Sequence, residues 1–173
     1  MLPKGVARGQ KNPSYSMLPG RMRKARKAGG LDLKQLSLLA ELSPNTAFSI
    51  ESGARVPTVA TVAALAKVLG VASAWLAFGE TRVRVHAAPA AKTLGDRLNA
   101  RRAELGLSYR AVARAAGLSD MTVRATEQAH TSPTIDTAER IAKALGISPG
   151  WLAFGAEQAQ AAQTISNPVA LER

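Results

Sequence analysis

A chain of 173 residues has room for one medium domain or two small ones, and 46% apolar against 20% charged residues is the balance of a folded chain. Only 4% is aromatic, as in a small helical core rich in Ala and Leu, and without Cys there is neither a disulfide framework nor a thiolate metal site. The formal net charge of +11 points to a polyanionic partner and is unevenly spread: eleven basic against four acidic residues give +7 over 1–80, 81–93 adds +3, 94–156 adds +2 and the remainder carries −1.

No apolar run approaches the roughly 20 residues of a bilayer span, and residues 1–20 lack the pattern of a secretory signal. A cytoplasmic protein with no membrane contact is expected. Residues 18–79 align with 94–155 at a constant offset of 76 without a gap, and 22 of these 62 positions are identical, where about five would match by chance. The chain is a tandem duplication, and both copies close on the same phrase, Trp75-Leu76-Ala77-Phe78-Gly79 and Trp151-Leu152-Ala153-Phe154-Gly155.

Residues 1–17, with Lys4, Arg8 and Lys11 among Gly and Pro, read as a flexible basic arm suited to lie along DNA. The first domain, 18–80, shows apolar residues three and four apart, the spacing of short helices. Five helices are expected per repeat. In the first repeat one runs from Arg21 to Lys27 and breaks at Gly29-Gly30; Asp32 caps a second through Leu36, Leu39 and Ala40; Ser43 caps a third that ends at a left-handed Gly53. Pro57-Thr58 start a fourth, ended at Gly70, and Ser73 caps a fifth carrying Trp75, Leu76 and Phe78.

The stretch Asp32 to Gly53 resembles the helix-turn-helix core of the phage repressor and Cro (XRE) family, and Ser108 to Ala129 resembles a second copy. The resemblance spans both 62-residue repeats and implies an all-α fold of two five-helix, lambda-repressor-like DNA-binding domains in tandem. It also implies that the second helix of each motif enters the major groove of double-stranded DNA. The recognition helix of the first repeat would be Pro44 to Ser52, with Pro44, Asn45, Phe48 and Ser49 towards the bases. Asn45 is the candidate for bidentate readout of adenine and Phe48 for contact with a thymine methyl. Ser43 and Thr46 would touch phosphate at the positive end of that helix. Lys34, Arg55 and the cluster Arg21, Arg23, Lys24 and Lys27 are candidates for backbone contacts that set affinity and salt dependence. The resemblance further implies a buried ion pair between the first helix and the end of the recognition helix, Arg26 with Glu51 and Arg102 with Glu127, structural in role.

Both repeats depart from the family pattern. Glu41 stands where the family has Gly, as Gly117 does in the second repeat, so the turn should carry some strain. The second domain, 94–156, presents Asp120 and Met121 in place of Pro44 and Asn45, and an Asp there repels phosphate. Ala129 and His130 replace Gly53-Ala54, so that helix is expected to exit differently. Its candidate DNA contacts are Arg110, Ser119, Met121, Thr122 and Arg124, with Arg124 suited to guanine and Arg110 to a phosphate.

Between the domains, 81–93 starts with strand-like alternation, Arg82-Val83-Arg84-Val85, and ends as a Pro and Ala linker. Extended, its 13 residues reach about 43 to 47 Å, enough to serve half-sites about 34 Å apart. One chain can thus act as a pseudo-dimer. Equally, Arg82 to Val85 can pair with a second chain, or the fifth helices can form the dimer face usual in the family; a homodimer is the expectation, with both tryptophans in the core. The segment 157–173 is a polar tail without a motif. The leading function is a sequence-specific DNA-binding transcriptional regulator, a repressor or mobile-element switch. The alternative is an antitoxin-like or antiactivator module whose second domain binds a protein partner. Two His, no phosphate loop and no Ser/His/acid constellation argue against an enzyme, and neither cofactor nor metal is expected.

Overall fold

The computed structural model describes residues 16–83 and 92–155. The basic arm before Ser16, the linker residues 84–91 with half of the strand-like alternation, and the tail from 156 lie outside the described residues. In the first repeat the helices are α1 (Leu18–Ala28), α2 (Leu33–Leu39), α3 (Thr46–Glu51), α4 (Val59–Leu69) and α5 (Ser73–Phe78). In the second they are α6 (Leu94–Glu104), α7 (Tyr109–Ala116), α8 (Asp120–Glu127), α9 (Ile135–Leu145) and α10 (Pro149–Phe154). The fold is all-α, with two five-helix units in tandem.

Local chemistry accounts for most of the boundaries. Asp32 closes a capping box on α2: its carboxylate accepts from the Gln35 amide at 2.7 Å, and the Gln35 side chain accepts from the Asp32 amide at 2.9 Å. Thr58 and Thr134 cap α4 and α9, and both helices end on a left-handed glycine, Gly70 and Gly146. Leu18, Met22, Leu36, Ile50, Leu65 and Leu76 are buried in the first core; Leu98, Val112, Val123, Ile141 and Leu152 fill the second.

The turn between α2 and α3 turns on Glu41, whose φ of 57° nearly equals the 63° of Gly117 in the second repeat. The strain expected there is present. At the exit of α8 the left-handed turn is kept, Ala129 taking a φ of 55° beside the 74° of Gly53, while the closing bond differs as expected: the His130 amide donates to the Ala125 carbonyl at 3.2 Å, where in the first repeat the Arg55 amide, one place further on, donates to the Ser49 carbonyl at 3.0 Å. Glu41 and Ala129 both accept the Cβ penalty of left-handed backbone, at a cost of about 1–2 kcal/mol for each non-glycine residue.

Two of the expected caps differ. Ser43 does not cap α3; its carbonyl takes the Thr46 amide at 2.9 Å, and the next amide, of Ala47, donates to the buried Ser37 hydroxyl at 3.0 Å. With Ser37 satisfying that orphan donor from α2, the helix begins two residues later than Pro44. The second repeat has Ala113 in place of Ser37, and there Ser119 is the cap, accepting from the Thr122 amide at 3.1 Å. Ser73 is the first residue of α5 rather than its cap, which is Ala72; in α10 the equivalent residue, Ser148, caps the Trp151 amide at 3.1 Å.

The two repeats pack on each other about a pseudo-two-fold axis. The Val59 amide donates to the Pro133 carbonyl at 2.9 Å and the Ile135 amide to the Pro57 carbonyl at 3.0 Å, an isolated antiparallel bridge at Thr58 and Thr134. Each bond is the copy of the other under the 76-residue offset. Equivalent rings also meet: Phe78 and Phe154 lie 6.2 Å apart, tilted by 44°, a favoured aromatic arrangement. Ile135, Ala138, Ala153 and Phe154 belong to the apolar cluster of the first repeat. This is the self-complementary pattern of a two-fold dimer, realised within one chain. Trp151 is buried and Trp75 half-buried.

Candidate nucleic-acid interface

The α2–turn–α3 and α7–turn–α8 pairs each present an outward face. In the first repeat Pro44, Asn45 and Phe48 are exposed and Ser49 is half-buried, while Ala47, Ile50 and Glu51 turn into the core. Asn45 sits at the N-cap without using its side chain for capping, so its carboxamide stays available. The Ser49 hydroxyl donates back to the Asn45 carbonyl at 3.0 Å. Lys34, Ser43, Lys24, Lys27 and Arg55 are exposed. Thr46, in contrast, is only 6% exposed, and its burial against the turn removes it from the candidate phosphate contacts.

The basic cluster of α1 is also smaller than its sequence suggests. Arg21 reaches the far end of its own domain, donating from Nε to the Leu76 carbonyl at 2.9 Å and from Nη2 to the Ala77 carbonyl at 2.6 Å. It satisfies the open carbonyls of α5 and is not a backbone contact for DNA. Arg97 does the same for Leu152 and Ala153 at 3.0 and 3.2 Å. Burial pulls the Arg21 pKa down, and the Glu139 carboxylate from the second repeat opposes that shift. Arg23 is tied to Glu51 at 3.2 Å through Nε while keeping half its side chain in solvent.

The structural ion pairs are formed. Arg26 Nε meets Glu51 Oε1 at 2.7 Å, and Arg102 Nε meets Glu127 Oε2 at 2.8 Å, all four side chains being largely buried. Each arginine also donates to the carbonyl that follows its helix, Leu31 at 2.8 Å and Leu107 at 3.0 Å. Burial pushes the Glu127 pKa up, but hydrogen bonds from Arg102 and Tyr109 outweigh it and leave the carboxyl below the usual range.

On the second face Ser119, Met121, Arg110, Arg114 and Arg124 are exposed and Thr122 half-buried, with Met121 74% exposed. Arg110 and Arg114 stand one turn apart on α7, where the first repeat has Lys34 and Leu38. Tyr109, which sequence reasoning passed over, lies beneath Arg102 and Arg124, whose Cζ atoms are 4.3 and 5.1 Å from the ring centre. Its hydroxyl donates to Glu127 Oε1 at 2.8 Å, and that bond holds the phenol above its usual pKa. The sequence signal was available: an aromatic ring four places before Ala113, where the first repeat has Leu33.

A helix-turn-helix family model matches residues 22–76 and again 98–152. The chain belongs to the XRE-type helix-turn-helix family. Its two matched segments coincide with the two five-helix units, and each contains one of the α2–turn–α3 and α7–turn–α8 pairs. Over 79 residues, 46% of this chain, the helix-turn-helix sequence is 34% identical to the HTH-type transcriptional regulator DicA of Escherichia coli (strain K12). The matched region spans 58% of that relative's length. No solved structure matches. Among the described residues no helix is long and apolar enough to cross a membrane, and no group of three or more His, Asp or Glu is placed to hold a metal ion.

Proposed function

We propose that this protein is a sequence-specific double-stranded DNA-binding transcriptional regulator in which one chain does the work of a dimer. The observation that carries the reading is the exchange of bonds between Val59 and Pro133 and between Ile135 and Pro57, which relates the two helix-turn-helix units as a two-fold dimer relates its subunits. A pair of recognition helices related in this way suits two half-sites about one helical turn apart. DicA, a relative of part of the chain, is named as a transcriptional regulator, and the exposed Asn45 at the start of α3 and the exposed basic side chains on α7 and α8 suit a duplex. Regulation follows from occupancy of an operator in the cytoplasm without catalysis, and repression is the outcome occupancy most directly produces.

The expected homodimer takes second place in this reading, since Phe78 and Phe154, on the fifth helices expected to form its face, meet inside the chain. Its test is selection of duplexes from a random library, followed by fluorescence anisotropy of the enriched sequence at several salt concentrations. Enrichment of one bipartite site with an affinity that falls linearly on a log–log salt plot supports the reading. Absence of any enriched sequence removes it and returns the protein-interaction alternative, with Asp120 and the exposed Leu38, Leu39 and Phe48 as surfaces to probe.

A further inference from the structure

We infer that Tyr109 is a specificity-positioning residue, whose ring holds the Arg124 guanidinium on the second recognition face so that one half-site of the operator carries a guanine the other lacks. The inference rests on the duplex-binding reading above and deepens it.

The ring is fixed from two sides. Its hydroxyl is tied to Glu127, and Arg102, locked by two bonds of 2.8 Å to the same carboxylate, lies on its face. Arg124 is the second cation on that ring, one turn from the end of α8, and it differs from Arg102 in one respect. No carboxylate or carbonyl among the described residues takes its N–H groups, so the planar fork remains available to the O6 and N7 acceptors of a guanine. A long arginine on an exposed helix face otherwise spreads over many rotamers, and binding must first select one of them. A ring that already attracts the guanidinium lowers that cost and favours a defined set of approach directions.

The first repeat lacks both halves of the device. Leu33 stands in place of Tyr109 and Phe48 in place of Arg124, so that face offers an apolar ring and the Asn45 amide instead. The two half-sites are therefore chemically unlike: a guanine under α8, and adenine or thymine under α3.

The test compares intact wild type with Arg124→Ala, Tyr109→Leu and Tyr109→Phe on duplexes in which each base pair of the selected site is replaced in turn. Leu is what the first repeat carries at this place, and a thermal melt of each variant checks folding. Arg124→Ala is expected to lose about five- to 150-fold of discrimination at one guanine. Tyr109→Leu is expected to lose about two- to five-fold at the same guanine, with the salt slope unchanged, because the substitution removes no positive charge. Tyr109→Phe keeps the ring and is expected to keep the discrimination. If Arg124→Ala leaves every base preference in place, or Tyr109→Leu discriminates as wild type does, the inference is overturned while duplex binding stands. If wild type selects no sequence, the underlying reading falls and the inference falls with it.

Discussion

Ala74 and Gly150 occupy the same place in the two repeats and meet at the pseudo-two-fold axis, where a Cβ on residue 150 would stand 2.7 Å from the Ala74 methyl. The same Cβ would lie 2.7 Å from Glu80 Oε2, and that carboxylate accepts from the Ser148 hydroxyl at 2.6 Å and the Gly150 amide at 3.2 Å. The interface therefore fits one alanine against one glycine. A pair of first repeats from two chains would bring alanine to both places, and Ala72 in place of Ser148 would leave Glu80 without its hydroxyl donor.

Gly150→Ala should destabilise the chain by about 1–3 kcal/mol through overpacking, and adding Ala74→Gly should restore part of the loss, the close approach to Glu80 Oε2 remaining. Urea unfolding midpoints of the two single variants and the double variant measure the coupling. A double variant no more stable than Gly150→Ala would place the cost at Glu80 and not at Ala74.

Glu41 and Ala129 both hold left-handed backbone and are both exposed. Replacing either with glycine removes the Cβ penalty and costs chain entropy, for a net gain of about 1 kcal/mol each. Higher melting temperatures for Glu41→Gly and Ala129→Gly are expected. Lower ones would show that the Glu41 or Ala129 side chain earns a compensating contact.

The legibility of these features in the sequence followed how local their causes are. The cap at Asp32 was readable from the residue itself, and the strained turn at Glu41 and the pairing of Arg26 with Glu51 from the family resemblance, because all three have causes local to one motif. Arg21 was misread because its partners, the carbonyls of Leu76 and Ala77, lie 55 and 56 residues on. One signal was there: Arg21 and Arg97 are identical between the repeats, whereas Lys24, Lys34 and Arg55 are not matched by the same residue. Ser43 was misread because Ser37, on the preceding helix, took over one orphan amide. The pairing of the repeats needs shape complementarity at Phe78, Phe154 and Gly150, which no spacing rule reports.

The two ion pairs should be expensive to break. Glu51→Gln strands Arg26, and a loss of about 3–5 kcal/mol is expected in chemical denaturation. A loss under about 1 kcal/mol would place the pair among weak surface contacts.

Acid should weaken the second repeat through Glu127. Its folded pKa lies below the unfolded value of about 4.3. The stability it contributes is thus whole above that pH and fades as the pH falls through the folded value. Asp96, lowered by its hydrogen bonds with Thr93, acts in the same direction. Unfolding midpoints followed from neutral to acidic pH should fall on the acid side, and Glu127→Gln should flatten that fall. A fall of the same steepness in Glu127→Gln would assign it to other carboxylates.

Base readout by the first repeat is expected to centre on Asn45. Asn45→Ala should cost about 1–3 kcal/mol of discrimination at one base pair and leave the other half-site untouched. A uniform loss over all sequences would instead make Asn45 a positioning contact.

The central claim is that one chain presents both recognition helices of a two-fold reader. Native mass spectrometry of the complex with its selected duplex, together with the sequence of that duplex, tests it most directly. The account predicts one chain bound to one duplex with two unlike half-sites; two chains on a palindrome would contradict it.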